Sequence, residues 1–122
     1  RRLSEMTPLF QIGIRNISES GEQFRSEADH VQTVSAEEAV TDRAYLDRLS
    51  EFVRGKRVYI TVDLDGMDPA EMPAVGTPEP GGLSWYDVLV IARVVSPIPG
   101  FNAPNFLAAK LVYKMIALSL VK

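Results

Sequence analysis

The sequence predicts an α/β fold with a parallel sheet, and three observations predict it. Val58-Tyr59-Ile60-Thr61-Val62 is β-branched, aromatic and apolar on both parities, which suits a strand covered on both faces rather than one half exposed to water. A helical pattern separates that run from an earlier short strand, and strand, helix, strand in this order is a βαβ unit with a right-handed crossover. Asp63 and Asp65 then arrive at the strand's carboxyl end, where open α/β sheets place their ligands.

In chain order, the polar stretch from Arg1 to Thr7 gives no more than a helix end. Leu9-Phe10-Gln11-Ile12-Gly13-Ile14 reads as a strand entered through Pro8. Arg15 to Glu22 is a polar loop leaving that strand, and Phe24 to Asp29 a short helix. His30 to Val34 is a short strand, with Val31 alternating against Thr33. Ser35-Ala36-Glu37-Glu38 has the spacing of a capping box. Ala44, Leu46, Leu49, Phe52 and Val53 continue it as one apolar stripe. The pattern leaves open whether Val40-Thr41-Asp42 divides this helix in two. Gly55 is placed to stop it.

Beyond the central strand, Ser84-Trp85-Tyr86-Asp87 opens another helix with the S-x-x-D box, continuing through Val88, Leu89, Ile91 and Ala92. Trp85 and Tyr86 are expected to pack against the Gly-Pro loop before them. Val94 to Phe101 is rich in proline and reads as non-helical. Asn102 caps a last helix, whose apolar side is Leu107, Leu111, Met115 and Leu118.

Composition narrows the function. At 122 residues the chain is one domain, and its net charge of −3 comes from interspersed charges, so neither nucleic acid nor an anionic membrane surface is favoured as a partner. The absence of cysteine excludes a disulfide framework and a thiolate metal site, and suits a reducing, cytoplasmic compartment. The apolar C-terminal run is broken by Lys110 and Lys114, as in a core helix rather than a membrane span.

The chemistry concentrates in Asp63-Leu64-Asp65-Gly66-Met67-Asp68-Pro69. On an extended chain the alternate residues Asp63 and Asp65 point to the same side, and two such carboxylates repel unless a cation lies between them. The plainer reading is an Asp-Gly turn after a strand, with Asp68 capping the next element. His30, remote from the aspartates and without a second ligand at helical or strand spacing, reads as a surface residue.

The longer run decides between these readings. Thr61-Val62-Asp63-Leu64-Asp65-Gly66-Met67-Asp68-Pro69 followed by Pro73-Ala74-Val75-Gly76-Thr77-Pro78-Glu79-Pro80-Gly81-Gly82-Leu83 resembles the third signature of the ureohydrolase family, the arginases and agmatinases. There a strand ending in SxDxDxxDP precedes a PGTGTPxxGGL loop. The Glu79-Pro80 pair looks more like agmatinase. Thr61 replaces the usual Ser, and Ala74-Val75 the usual Gly-Thr. The similarity runs from about Leu9 to the end and implies the C-terminal part of a three-layer αβα sandwich with a parallel sheet. Residues 1–122 would then be a partial ureohydrolase domain, incomplete by about half.

The resemblance also implies two Mn2+ ions about 4 Å apart that activate a water for attack on a guanidinium carbon, releasing urea. Carried over residue by residue, Asp63 is the bridging carboxylate and Asp65 the ligand of the second ion. Asp68 is a structural cap. Asn16 and Glu19, in the loop after the Ile-Gly-Ile-Arg strand, are candidate substrate contacts. The implied partners are a small guanidino substrate, agmatine before arginine, and further copies of the chain in a homo-oligomer.

Two departures matter. The family's histidine-bearing stretches, GGDHS and DAHxD, are absent. Val94 also stands where a glutamate of a Glu-Val-x-Pro strand end would hold the guanidinium, the preceding helix leaving no room for that strand. The chain alone is therefore expected to be inactive, and its uncovered strand edge to promote association. A non-catalytic assembly module is the alternative. A haloacid-dehalogenase-like phosphatase needs Thr or Val where Met67 stands, and an EF-hand calcium loop needs Gly where Asp68 stands.

Overall fold

The computed structural model describes residues 4–95. β1 (Leu9–Ile14) and β2 (Val31–Ser35) pair in parallel, Leu9 opposite Val31 and Ile12 opposite Val34. The α/β class with a parallel sheet is therefore present, but the βαβ unit closes one element earlier than the pattern suggested. Its crossover is α1 (Glu19–Glu27). The pairing shifts register between Ile12 and Ile14. Gly13, between them, has φ +89°, and a Cβ there would stand 3.1 Å from Leu83 Cδ1. Glycine is what this bulge requires if Leu83 is to keep its place.

α1 starts well before Phe24, where the helix was expected. Ser18 is its N-cap, the hydroxyl accepting from the Gly21 amide at 3.2 Å. Glu19 and Glu22 lie in the first turn, where the helix dipole favours them. Arg25 pairs with Glu22, and the Gln23 amide donates to Glu27 at 3.1 Å. None of its residues is buried. An apolar stripe, the signal by which sequence betrays a helix, is therefore missing, and caps with local pairs decide instead.

The helical pattern after Ser35 is two helices, α2 (Ala36–Thr41) and α3 (Tyr45–Val53). The Ser35 hydroxyl accepts from the Glu38 amide at 3.0 Å, as the capping box requires, while the Glu38 carboxylate pairs with Arg48. At Asp42 the backbone turns extended and its carboxylate accepts from the Ala44 amide at 2.9 Å, which ends α2. The break re-phases the buried stripe. Tyr45, Leu49 and Val53 are buried, whereas Ala44 is exposed.

α4 (Trp85–Val95) carries a reciprocal box at its start. Asp87 accepts from the Ser84 amide at 2.9 Å and hydroxyl at 2.6 Å, and the Asp87 amide donates back to the Ser84 hydroxyl at 3.2 Å. The helix runs on through Val94 and Val95, against the expectation of a non-helical stretch there. Proline restricts the residue immediately before it, so Pro97 leaves Val95 free to be helical, and Val95 is buried. Trp85 is half-buried, but Tyr86 is 75% exposed rather than packed away as expected.

Two apolar clusters meet over Phe10 and Ile12. Val34, Ala39, Tyr45 and Leu83 form one; Leu49, Val53 and Val95 form the other. The Phe10 and Phe52 rings meet edge to face at 5.3 Å, and the Lys56 ammonium stands 4.7 Å above the Phe52 ring. Burial of a leucine is worth about 1.5–3 kcal/mol, and Leu83 brings that contribution from the Gly-Pro loop into the first cluster.

The central strand predicted at residues 58–62 is not formed. Tyr59 is 90%, Ile60 41% and Val62 50% exposed, and only Val58 reaches the second cluster. A ladder needs neighbouring backbone, and among the described residues β1 and β2 pair only with each other. The Pro-rich segment beyond Val95 and the helix expected from Asn102 lie outside the described residues.

Candidate functional site

The run Asp63 to Asp68 folds as a turn. Leu64–Gly66 is a single 3-10 turn capped by Asp63, whose Oδ1 accepts from the Asp65 amide at 3.1 Å. The relation of Asp63 to Asp65 is therefore that of a cap to the turn it starts, and the same-side argument for an extended chain does not apply.

The following loop returns to this turn and is held by carboxylates. Asp65 Oδ2 accepts from the Thr77 amide at 3.2 Å and from its hydroxyl at 2.5 Å. Asp68 Oδ1 accepts from the Ala70 amide at 2.9 Å, and Oδ2 from the Gly81 and Gly82 amides at 2.8 and 3.2 Å. Met67 and Leu83 form a parallel bridge, with the Asp68 amide donating to the Leu83 carbonyl and the Leu83 amide to the Gly66 carbonyl, each at 3.0 Å. The Ala70 and Gly81 amides, then Gly82 and the nearby Arg15 charge, hold the Asp68 carboxyl below its ordinary value. Asp68 is thus the structural cap expected of it.

Arg15, at the end of β1, closes the arrangement. Its Nη2 donates to the Asp65 carbonyl at 2.8 Å and the Glu79 carbonyl at 2.6 Å, and Nε donates to Glu79 at 3.0 Å. Longer bonds reach the Gly66 carbonyl at 3.4 Å and the Met67 carbonyl at 3.3 Å. Sequence reasoning passed over this residue because backbone carbonyls are the same everywhere in a sequence. The only available signal was an arginine at a strand's carboxyl end in a chain rich in Gly-Pro loops.

The candidate substrate contacts lie beside this site without joining it. Asn16 is exposed in the short loop after Arg15, and Glu19 is the exposed first residue of α1 rather than a loop residue. Neither is brought to the aspartates by any hydrogen bond among the described residues. His30 is an exposed residue bonded to the Ser4 carbonyl at 2.8 Å. Val94 is half-buried in α4 against the second cluster.

Manganese takes hard oxygen donors, and Asp63 with Asp65 supplies that kind. Oδ2 of Asp63 and Oδ1 of Asp65 have no partner among the described residues. The number falls short, since no group of three or more His, Cys, Asp or Glu among the described residues could hold a metal ion. No helix among them is long and apolar enough to cross a membrane.

The profile of the arginase family matches residues 1–114. The chain belongs to the arginase family. An N(1)-aminopropylagmatine ureohydrolase of Thermus thermophilus is 36% identical over 132 residues, covering 97% of this chain and 44% of the relative. That of Synechocystis is 31% identical, covering 95% and 42%, and the mitochondrial arginase 1 of Oryza sativa subsp. indica is 38% identical, covering 89% and 36%. The crystal structure of the agmatine ureohydrolase of Thermoplasma volcanium superposes with a TM-score of 0.60 at 34% identity, over 86% of this chain and 40% of that one. This arginase-family chain thus has the arginase-like fold while spanning under half the length of these relatives. Its alignment with the Thermus relative runs over 132 positions, more than its own 122 residues. The relative therefore carries residues between matched segments that the arginase-family chain lacks.

Proposed function

We propose that the protein acts as a ureohydrolase on a small linear guanidino compound, agmatine or an aminopropyl derivative before arginine. Asp63 and Asp65 serve as carboxylate ligands of a manganese pair. One observation carries this reading: the Asp63–Asp68 turn is locked to the Thr77–Leu83 loop by side-chain carboxylates, yet among the described residues one oxygen each of Asp63 and Asp65 stays uncommitted. Free carboxylate oxygens on a turn held in place by its neighbours are the kind of hard donor that a divalent cation takes. The similarity of the chain to aminopropylagmatine and agmatine ureohydrolases supports the choice of substrate class.

When bound, manganese supplies Lewis-acid activation of water. What the chain supplies is position. Thr77 fixes the Asp65 carboxylate through two bonds, and the Asp63 carboxylate is fixed by its own cap. Asn16 and Glu19, at the neighbouring strand end, are proposed to contact the substrate. Two carboxylates alone cannot hold a divalent pair against water. The 122 residues by themselves therefore have no turnover, and the remaining ligands come from elsewhere in the working protein, a cytoplasmic homo-oligomer in this reading.

The test is Asp63→Asn and Asp65→Asn in the whole protein, with bound manganese and urea release measured for each. Both quantities are expected to fall at least about tenfold. Unchanged metal content together with unchanged urea release would remove the assignment.

A further inference from the structure

Four carbonyl oxygens from two separated segments, those of Asp65, Gly66, Met67 and Glu79, converge on the guanidinium of Arg15. Gly66 also accepts from the Leu83 amide at 3.0 Å, but among the described residues Asp65, Met67 and Glu79 have no backbone donor across the turn. Without Arg15 these oxygens would turn to water, and the turn would be tied to the loop only on either side of Glu79, at Thr77 and at Gly81 to Leu83. The geometry suits arginine in particular. Its planar fork presents several N–H groups in fixed directions, whereas a lysine ammonium offers a flexible point charge.

We propose that Arg15 is the positioning residue of this site. It joins the aspartate turn and the Glu79 loop into one rigid unit, so the direction of the Asp65 carboxylate is set from the end of β1. Two connections bear on Asp65 at once. Its main-chain oxygen is gripped by Arg15 at 2.8 Å, and its side chain by Thr77 on the loop that Arg15 also holds through Glu79. Releasing the guanidinium loosens both. Arg25, Arg43, Arg48 and Arg54, by contrast, each pair with a carboxylate. The inference rests on the hydrolase reading only for its consequence in catalysis; the grip itself is a property of the fold.

The experiment compares Arg15→Met and Arg15→Lys with the unaltered whole protein by amide hydrogen exchange and by steady-state urea release. In both variants the Thr77, Gly81 and Gly82 amides are expected to exchange about tenfold faster or more, with β2 and α3 unchanged. The kcat for urea release should fall by a similar factor. Three results would each overturn the proposal: unchanged exchange at those amides, acceleration spread evenly through β2 and α3, or full protection and kcat restored by lysine. Failure of the hydrolase reading would show elsewhere, as indifference of metal content and urea release to Asp63→Asn.

Discussion

Gly82 lies against the backbone of Met67 and Asp68 so closely that a Cβ on it would stand 2.5 Å from the Met67 carbonyl carbon and 2.5 Å from the Asp68 nitrogen. The Met67–Leu83 bridge needs this approach, and through it Leu83 enters the core. Gly82→Ala must therefore push the two segments apart. The expected cost is about 2 kcal/mol or more, from overpacking against backbone that cannot yield. Gly66→Ala is the control, because nothing lies within 4 Å of a Cβ at that position. Urea unfolding of both variants checks the difference.

Asp68 should make stability depend on acid. Backbone donors hold its folded value below the ordinary 3.8, the Ala70 amide contributing most, then Gly81. A carboxyl lowered on folding stabilises above its unfolded value, and that contribution disappears as pH falls through the lowered folded value. Asp68→Asn, a poorer acceptor facing the same amides, should be less stable than the unaltered protein near neutral pH. The gap should begin to narrow as pH falls through the ordinary 3.8 and be gone only below the lowered folded value, where the folded aspartate is protonated too. The urea midpoints of the two proteins, followed downward in pH, give the comparison; a gap of constant size would contradict it.

The contrast between these elements and the failed ones shows what a sequence displays. The Ser35 and Ser84 caps and the Asp-Gly-Pro signature depend on neighbours a few residues away and were legible there, and β1 and β2, though they pair with each other across α1, showed in their own apolar and β-branched residues. The strand expected at Val58–Val62 depends on distant backbone to pair with, which its own residues cannot reveal. The start of α1 was hidden for the opposite reason: a helix that buries nothing carries no apolar period. At the site, Asp63, Asp65 and Asp68 were visible because their spacing is unusual. Arg15 was not, because it binds carbonyls, and Thr77 stood in the signature without its role as a donor to Asp65 being evident.

The polar cluster between α3 and α4 offers a graded test. Asp87 is 4% exposed, and it accepts from Ser84 and, at 2.6 Å, from Arg43. Burial raises its carboxyl, but the Ser84 hydroxyl and amide and the Arg43 charge outweigh burial, so the net direction is down. Asp87→Ala removes the carboxylate that accepts from Ser84, and with it the ion pair, and should cost about 2–3 kcal/mol. Ser84→Ala should cost about 1 kcal/mol. Arg43→Met should cost less than about 1 kcal/mol, since that side chain is 47% exposed. Thermal unfolding of the three variants should return that order.

Tyr45 is fully buried, and its hydroxyl, with the Arg43 guanidinium close by, makes no well-formed hydrogen bond among the described residues. Burial pushes the hydroxyl's titration up, against the pull of the nearby Arg43 charge. A buried polar group without a partner costs what its desolvation costs. Tyr45→Phe keeps the ring and removes that group, so the variant should be as stable as the unaltered protein or up to about 1 kcal/mol more so. A clear loss of stability on denaturant unfolding would mean that the hydroxyl is satisfied.

Tyr59, Ile60 and Val62 put three large apolar side chains into solvent within four residues. An extended apolar run with unpaired backbone is a template for strand addition. The 122-residue chain should therefore self-associate as its concentration rises. A charge on the run blocks that route without touching the core of the described residues, because Ile60 and Val62 belong to neither of its buried clusters. Sedimentation velocity of the chain and of an Ile60→Lys, Val62→Lys variant should show larger species for the former and a shift toward monomer for the latter. A chain that remains monomeric at all concentrations would mean that this run is already covered.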